Sequence, residues 1–267
     1  MTEIMPKKSL GQHWLEDEST LEYIAGAADI GLKDTVLEVG PGKGALTDYL
    51  TADAKKVIAI ELDRNLANQL AAGAPKNLEV VQGDVLKYNV KKLPLDYKVV
   101  ANIPYYLTGH LLRLFSSAEN QPALMVLLVQ KEVAQRIAAR PGQMSILSVS
   151  LQLFYEPELG KVVLAEMFAP PPKVDSQVVI LRRRRTPLFK KLDTPKFMRL
   201  VKAGFSSPRK KLRSSLAAGL RIGVEQADEL LAGAEVNGDL RAEKLSLEQW
   251  YKLYMQYSLK TDLRSLL

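Results

Sequence analysis

Residues 35–44 read Thr35-Val36-Leu37-Glu38-Val39-Gly40-Pro41-Gly42-Lys43-Gly44, and this stretch decides the fold. The run Thr35–Val39 is β-branched and apolar, which predicts a buried strand. Glycines then recur at alternate positions, and a helical pattern begins at Ala45. Glycine tolerates backbone angles closed to other residues and lets a ligand approach the main chain without meeting a Cβ. A tight strand-to-helix turn of this kind is where α/β sheets hold nucleotides. Gly40-x-Gly42-x-x-Ala45 fits the relaxed dinucleotide fingerprint, so the turn alone does not choose among nucleotides. It is not a phosphate-binding P-loop, because Gly44 follows Lys43 where that motif needs Ser or Thr.

Downstream, Val57–Glu61, Leu78–Gln82, Lys98–Ala101 and Leu124–Val129 are further apolar runs closed by polar residues. Helical segments lie between most of them, with Asp63 as the expected cap of one. Five such strands predict a parallel sheet covered on both faces. Leu21, Ile24, Ala25 and Ala28 predict a helix over 17–28. A further helix is expected over 145–154, with strand-like segments at 160–164 and 177–181. Between these last two, the prolines of Phe168-Ala169-Pro170-Pro171-Pro172 forbid regular structure. The boundary is expected after Arg185, giving an α/β domain over 1–185 and a smaller all-helical domain over 186–267.

In the second domain, Thr194 reads as the cap of a helix with Pro195 at its first position. Pro208 is expected to start another, cored by Leu212, Leu216 and Leu220. Ser246-x-x-Gln249 reads as the capping box of a last helix carrying Trp250, Leu253, Tyr254 and Tyr257.

Composition narrows the chemistry. The 267 residues contain no cysteine and two histidines, His13 and His110. Disulfides, thiolate metal sites and cysteine nucleophiles are excluded, and no metal is expected. A cysteine-free chain suits a reducing cytoplasm. The N-terminus lacks the apolar core of a signal peptide, and no apolar run approaches the ~20 residues of a membrane helix. A soluble cytoplasmic protein is expected. The net charge of +7 is concentrated, since residues 182–213 hold thirteen Lys/Arg against one acid, Asp193. Charge runs are most often solvated faces. On an otherwise slightly acidic chain, this one points to a polyanion, with Arg182, Arg183, Arg209, Lys210, Lys211 and Arg213 as phosphate contacts.

Polar residues gather at the carboxyl ends of four strands: Gly40, Glu61, Asp84 and Asn102. That edge is where open α/β sheets bind ligands. Glu61 lies about twenty residues past the first glycine, where a carboxylate can accept from both ribose hydroxyls. Asp84 can accept from an adenine amine. Asn102-Ile103-Pro104-Tyr105 discriminates best, because it suits a planar base bearing an exocyclic amine. That nitrogen is a poor nucleophile until acceptors hold its N–H groups, and the Asn102 side-chain oxygen with a loop carbonyl would supply them. Tyr105 can stack on the ring, as enzymes that act on bases require.

In chain order, Lys8-Ser9-Leu10-Gly11-Gln12-His13-Trp14-Leu15, the glycine turn, Glu61-Leu62-Asp63, Gly83-Asp84, Asn102-Ile103-Pro104-Tyr105, Gln130-Lys131-Glu132 and Phe168-Ala169-Pro170-Pro171-Pro172-Lys173-Val174-Asp175-Ser176 resemble the rRNA adenine N6-dimethyltransferases. Phe205-Ser206-Ser207-Pro208-Arg209-Lys210-Lys211-Leu212-Arg213 is similar to the small-subunit branch of that family. The resemblance implies a Rossmann-like domain using S-adenosylmethionine. It implies a monomer working on small-subunit rRNA, or on the immature subunit, during ribosome biogenesis. The substrate would be two adjacent adenosines of the terminal hairpin, each methylated twice. His13, Leu15, Gly40, Gly42, Glu61, Asp84 and Asn102 would line the cofactor pocket. Asn102, Pro104 and Tyr105 would serve catalysis, with Phe168 flanking the flipped base opposite Tyr105. The family usually has Gln-Asn-Phe-Leu where this chain has Gln12-His13-Trp14-Leu15.

Three rival readings share parts of this pattern. A dinucleotide oxidoreductase would use the glycine turn and Glu61, but has no use for the Asn-Ile-Pro-Tyr loop or the basic segment. A non-catalytic RNA-binding assembly factor would keep the fold. A large-subunit enzyme of the macrolide-resistance type usually lacks the basic block around Arg209.

Overall fold

The computed structural model describes residues 5–7, 10–190 and 192–264. Lys8-Ser9 of the N-terminal motif and Lys191 of the basic segment lie outside the described residues. The strands are β1 (Trp14–Leu15), β2 (Thr35–Val39), β3 (Lys56–Glu61), β4 (Leu78–Gln82), β5 (Lys98–Asn102), β6 (Leu124–Gln130), β7 (Tyr155–Val163), β8 (Phe168–Ala169) and β9 (Ser176–Arg183). Helices of the first part are α1 (Glu18–Ala27), α2 (Ala45–Asp53), α3 (Arg64–Ala72), α4 (Thr108–Ser117) and α5 (Lys131–Ile137). The remainder are α6 (Ile146–Gln152), α7 (Thr194–Gly204), α8 (Leu212–Leu220), α9 (Val224–Gly233) and α10 (Leu247–Arg264). Among them, no helix is long and apolar enough to cross a membrane.

Seven strands form one sheet in the order β4-β3-β2-β5-β6-β9-β7. The five expected strands, β2 to β6, pair in parallel. The sheet is mixed rather than wholly parallel, because β9 runs antiparallel to β6 and β7 antiparallel to β9. Antiparallel neighbours can be joined by a short connection, whereas a parallel pair needs a long crossover. Residues 164–175 join β7 to β9 without an α-helix, the usual means of a parallel crossover. From β2 the chain steps outward to β3 and β4, then returns to β5 on the other side of β2. This reversal puts the glycine turn at the switch point of the sheet, the place where α/β folds open a crevice.

Two compact units emerge, one of residues 1–135 with 155–183, the other of 136–154 with 184–267. The expectation of one cut after Arg185 therefore needs changing, since residues 136–154 group with the helical part. The reason is apolar. Val149 and Leu153 are buried in one cluster with Phe197, Leu200, Leu216 and Trp250. The first unit has its own core, in which Ile24, Val36, Leu50, Val57, Val126 and Val178 are fully buried.

Local signals explain most helix ends. Asp63 caps α3, accepting from Asn65 N at 2.9 Å. The Ser246–Gln249 box is reciprocal, at 2.9 and 3.2 Å. The cap of α7 is Asp193 rather than Thr194, its carboxylate accepting from Lys196 N at 2.9 Å. The helix expected from Pro208 begins at Leu212. Lys210 N donates instead to Ser207 O at 2.9 Å, so Arg209, Lys210 and Lys211 ride a turn before α8.

Candidate active site

A cavity of about 690 Å³ opens at the carboxyl ends of β2 to β5, within the range of small-ligand sites. Its floor is the glycine turn. Gly40, Gly42 and Gly44 have φ of 67°, 61° and 91°, the left-handed region that glycine enters without strain.

Glu61 ends β3 and is tied to this turn. Its carboxylate accepts from Gly42 N at 3.1 Å and Asp63 N at 2.8 Å. Burial raises its pKa, partly offset by these two donors and reinforced by the neighbouring Asp63 charge. Burial also raises Asp63, but the Lys7 ammonium and the Asn65 N–H outweigh it and hold Asp63 below its ordinary value. Lys7 Nζ stands 2.7 Å from Asp63 Oδ2. On the next strand, Asp84 spends one oxygen capping the turn at 85–87, accepting from Leu86 N at 2.9 Å.

Asn102 closes β5. Its side-chain nitrogen donates to the main-chain carbonyl of His13 at 3.2 Å, leaving Oδ1 with no donor among the described residues. Pro104 and Tyr105 follow in the cavity wall. The Tyr105 hydroxyl is 2.8 Å from Ser176 Oγ. Burial raises its pKa, the Ser176 contact lowers it, and the Asp175 charge raises it again, for a net increase. The ring lies 6.0 Å from that of His13 at an interplanar angle of 21°. His13 is itself anchored, its Nδ1 2.7 Å from Pro170 O.

His13, Leu15, Gly40, Gly42, Glu61, Asp84, Asn102, Pro104 and Tyr105 all line this one cavity. Phe168 does not. It pairs with Leu15 across the short β1–β8 ribbon and is 3% exposed, within the apolar core. Its ring therefore supports the arm from behind, and the ring that faces Tyr105 is His13.

The basic residues divide as well. Arg183 donates Nη1 to Gln121 O at 2.6 Å and Nη2 to Asp96. Arg213 pairs with Asp228 and Asp239 at 3.4 and 3.0 Å, and Lys211 with Asp239 at 3.0 Å. Arg183 and Arg213 are thus half-buried and paired, Lys211 is paired at the surface, and Arg182, Arg209 and Lys210 are exposed with no ion pair among the described residues.

Residue-by-residue reading gave no role to Glu38. It is 1% exposed, lines the cavity and accepts from Thr47 Oγ1 at 2.7 Å. Burial pushes its carboxyl up to about 8; the Thr47 bond opposes this, and the charges of Asp48 and Glu61 add to it. A carboxylate inside the apolar run of β2 was the available signal.

The cavity fits a cationic nucleoside. Among the described residues Glu16, Glu18, Asp48, Glu61 and Asp84 line it beside the buried Glu38, and Lys43 is the one Lys or Arg. That balance favours a ligand with a positive centre, as a sulfonium has, and Glu61 at a strand end can receive ribose hydroxyls.

Comparison with known proteins agrees. The family model for ribosomal RNA adenine dimethylase matches residues 5–258. The chain is 42% identical to the ribosomal RNA small subunit methyltransferase A of Dehalococcoides mccartyi, covering 94% of this chain and 88% of that one. It is 39% identical to the enzyme of the same name from Crocosphaera subtropica, covering 95% and 98%. Among solved structures, a dimethyladenosine transferase from Plasmodium falciparum superposes with a TM-score of 0.81 at 27% identity, covering 93% of this chain and 98% of that one. The 23S rRNA methyltransferase ErmE superposes at 0.72 and 28%, covering 92% and 99%.

Proposed function

The chain belongs to the ribosomal RNA adenine dimethylase family, and we propose that it methylates the N6 amines of two adjacent adenosines in the terminal hairpin of small-subunit rRNA. Each amine receives two methyl groups, and the substrate is the RNA within an immature subunit. The protein works as a monomer in the cytoplasm and needs no metal. The name shared by the 42% and 39% identical relatives supports the small-subunit assignment over the large-subunit one.

The carrying observation is the pinned amide of Asn102, a cavity residue whose side-chain nitrogen is committed to His13 O and whose oxygen meets no donor among the described residues. S-adenosylmethionine supplies a methyl carbon made electrophilic by its sulfonium. Glu61 accepts the ribose hydroxyls, and Asp84 accepts from the cofactor's adenine amine. Asn102 Oδ1 and a carbonyl of the Pro104 loop accept the two N–H groups of the target amine. Held so, the nitrogen pyramidalises and its lone pair lines up with the methyl carbon; most of the acceleration comes from that alignment. Tyr105, steadied through Ser176, offers its face to the extruded base. When bound, the cofactor would supply the methyl group as an electrophile whose leaving group is a neutral thioether, and these residues would hold the amine in line with it. The amine proton leaves afterwards, so no strong base acts before attack.

Small subunits lacking the modification, incubated with the protein and methyl-labelled cofactor, test this directly. Label should map to two neighbouring adenosines, at two methyls each. Label in large-subunit RNA would overturn the substrate, and no label at all would favour a non-catalytic assembly factor.

A further inference from the structure

The reaction as described uses Tyr105 and leaves Tyr106 idle. Tyr106 lines the same cavity and is 56% exposed, so it stands at the open side. The ring is nevertheless backed. Gly11, with φ of 59°, passes so close that a Cβ there would stand 3.3 Å from Tyr106 Cδ1 and 3.5 Å from Cε1. The missing side chain lets the backbone of the arm lie against the ring. A tyrosine supported from behind offers its free surface at little entropic cost. Tyr106 also begins a stripe. Gly109, His110 and Arg113 follow it at helical spacing and are exposed, while Leu111, Leu112 and Phe115 are fully buried on the other side of α4. A Cβ at Gly109 would meet nothing within 4 Å, so the surface is open between the ring and Arg113. Neither the Tyr106 hydroxyl nor the Arg113 guanidinium has a hydrogen bond or ion pair among the described residues. Seven helical residues, roughly 10 Å, separate them.

Extruding a base breaks its stack with the bases on either side. In the proposed function the target is one of two adjacent adenosines, so its neighbour is a purine that has just lost a stacking partner. We propose that the Tyr106 ring stacks on that neighbouring adenine while Arg113 takes a phosphate of the same strand. The stripe is then a single-strand track that leads into the cavity, an aromatic platform followed by a cation. Tyr105 receives the extruded base, and Tyr106 replaces that base in the stack left behind. The inference rests on the proposed function.

Small subunits reconstituted around rRNA with a synthetic terminal hairpin test it on the full-length protein. One hairpin is intact; in two others each adenosine of the pair is in turn replaced by an abasic nucleotide. Single-turnover methylation of the remaining adenosine is followed with S-adenosylmethionine saturating and subunits below half-saturation. Y106A should slow methylation of the intact hairpin about tenfold, within the worth of one base–aromatic stack. On at least one abasic hairpin it should cost less than about twofold, because the stack it removes is already gone. Y106F keeps the ring and should match the wild type on all three. An equal loss from Y106A on every hairpin would make the ring only a support for the arm and overturn the proposal. No loss on any would overturn it too. R113Q should lower the log–log salt slope of subunit binding by about 0.7, one phosphate on a single strand, and an unchanged slope would remove Arg113 from the track. Wild-type protein that leaves the intact hairpin unmethylated would overturn the proposed function, and this inference with it.

Discussion

The side-chain nitrogen of Asn102 donates to the main-chain carbonyl of His13 across 3.2 Å, joining the end of β5 to an arm 89 residues earlier. This bond commits the amide nitrogen and leaves the oxygen as the end that, in the proposed reading, meets the target amine. Asn102→Ala should slow single-turnover methylation by roughly 10²–10³-fold, the usual effect of deleting one preorganised polar group at a reacting centre. RNA affinity should barely change, because phosphate contacts supply most of it. A wild-type rate with cofactor and RNA both saturating would take Asn102 out of the reaction.

Glu61 ties the glycine turn to the start of α3 by accepting from Gly42 N and Asp63 N, and in the proposed reading it also accepts the ribose hydroxyls. Glu61→Ala should weaken S-adenosylmethionine binding by about 1.5–3 kcal/mol. Calorimetric titration reads this directly, and an unaltered affinity would place the ribose elsewhere.

Glu38 should make stability depend on pH. Its carboxyl is raised by burial from 4.5 to about 8, so folding takes up a proton between those values. Stability contributed by the neutral form is complete below about pH 4.5 and is lost as pH rises toward 8, at up to about 1.4 kcal/mol per unit. Glu38→Gln stays neutral and can still accept from Thr47. Urea midpoints should therefore favour the variant increasingly as pH rises, and a gap that stays constant would show Glu38 already ionised in the fold.

The exposed and the paired cations should separate in a salt titration. Replacing Arg209 and Lys210 together should reduce the log–log salt slope of rRNA binding by roughly 0.7–0.9 for each phosphate no longer neutralised, with thermal stability unchanged. Arg213→Ala should instead lower the melting temperature, because its guanidinium bridges Asp228 and Asp239. If Arg209 and Lys210 leave the slope untouched, the RNA path lies elsewhere.

Much of this was legible from local pattern. The strand-turn-helix at 35–45 and the polar ends of β3, β4 and β5 are local signals. Gly40, Gly42, Glu61, Asp84 and Asn102 line the cavity. What stayed hidden is set by long-range packing. Residues 136–154 read as a continuation of the α/β part, because nothing in Val149 or Leu153 says which core will bury them. Phe168 reads as a free aromatic until its pairing with Leu15 is known. Arg183 and Arg213 read as phosphate contacts until Asp96, Asp228 and Asp239 fold against them. Glu38 was visible in the sequence, but its consequence depends on complete desolvation.

The β1–β8 ribbon has a consequence for synthesis on the ribosome. Beside it, the contact of His13 with Pro170 joins residues 157 apart. At bacterial-scale elongation of roughly 5–20 residues per second, about 8–30 s separate their emergence. Strands β2 to β6 can pair in that interval, but the arm carrying His13 and Trp14 has no β8 to dock against. A nascent chain therefore has the glycine turn and the Asn102 contact of its cavity long before it has the β8 strand that completes the arm's pairing.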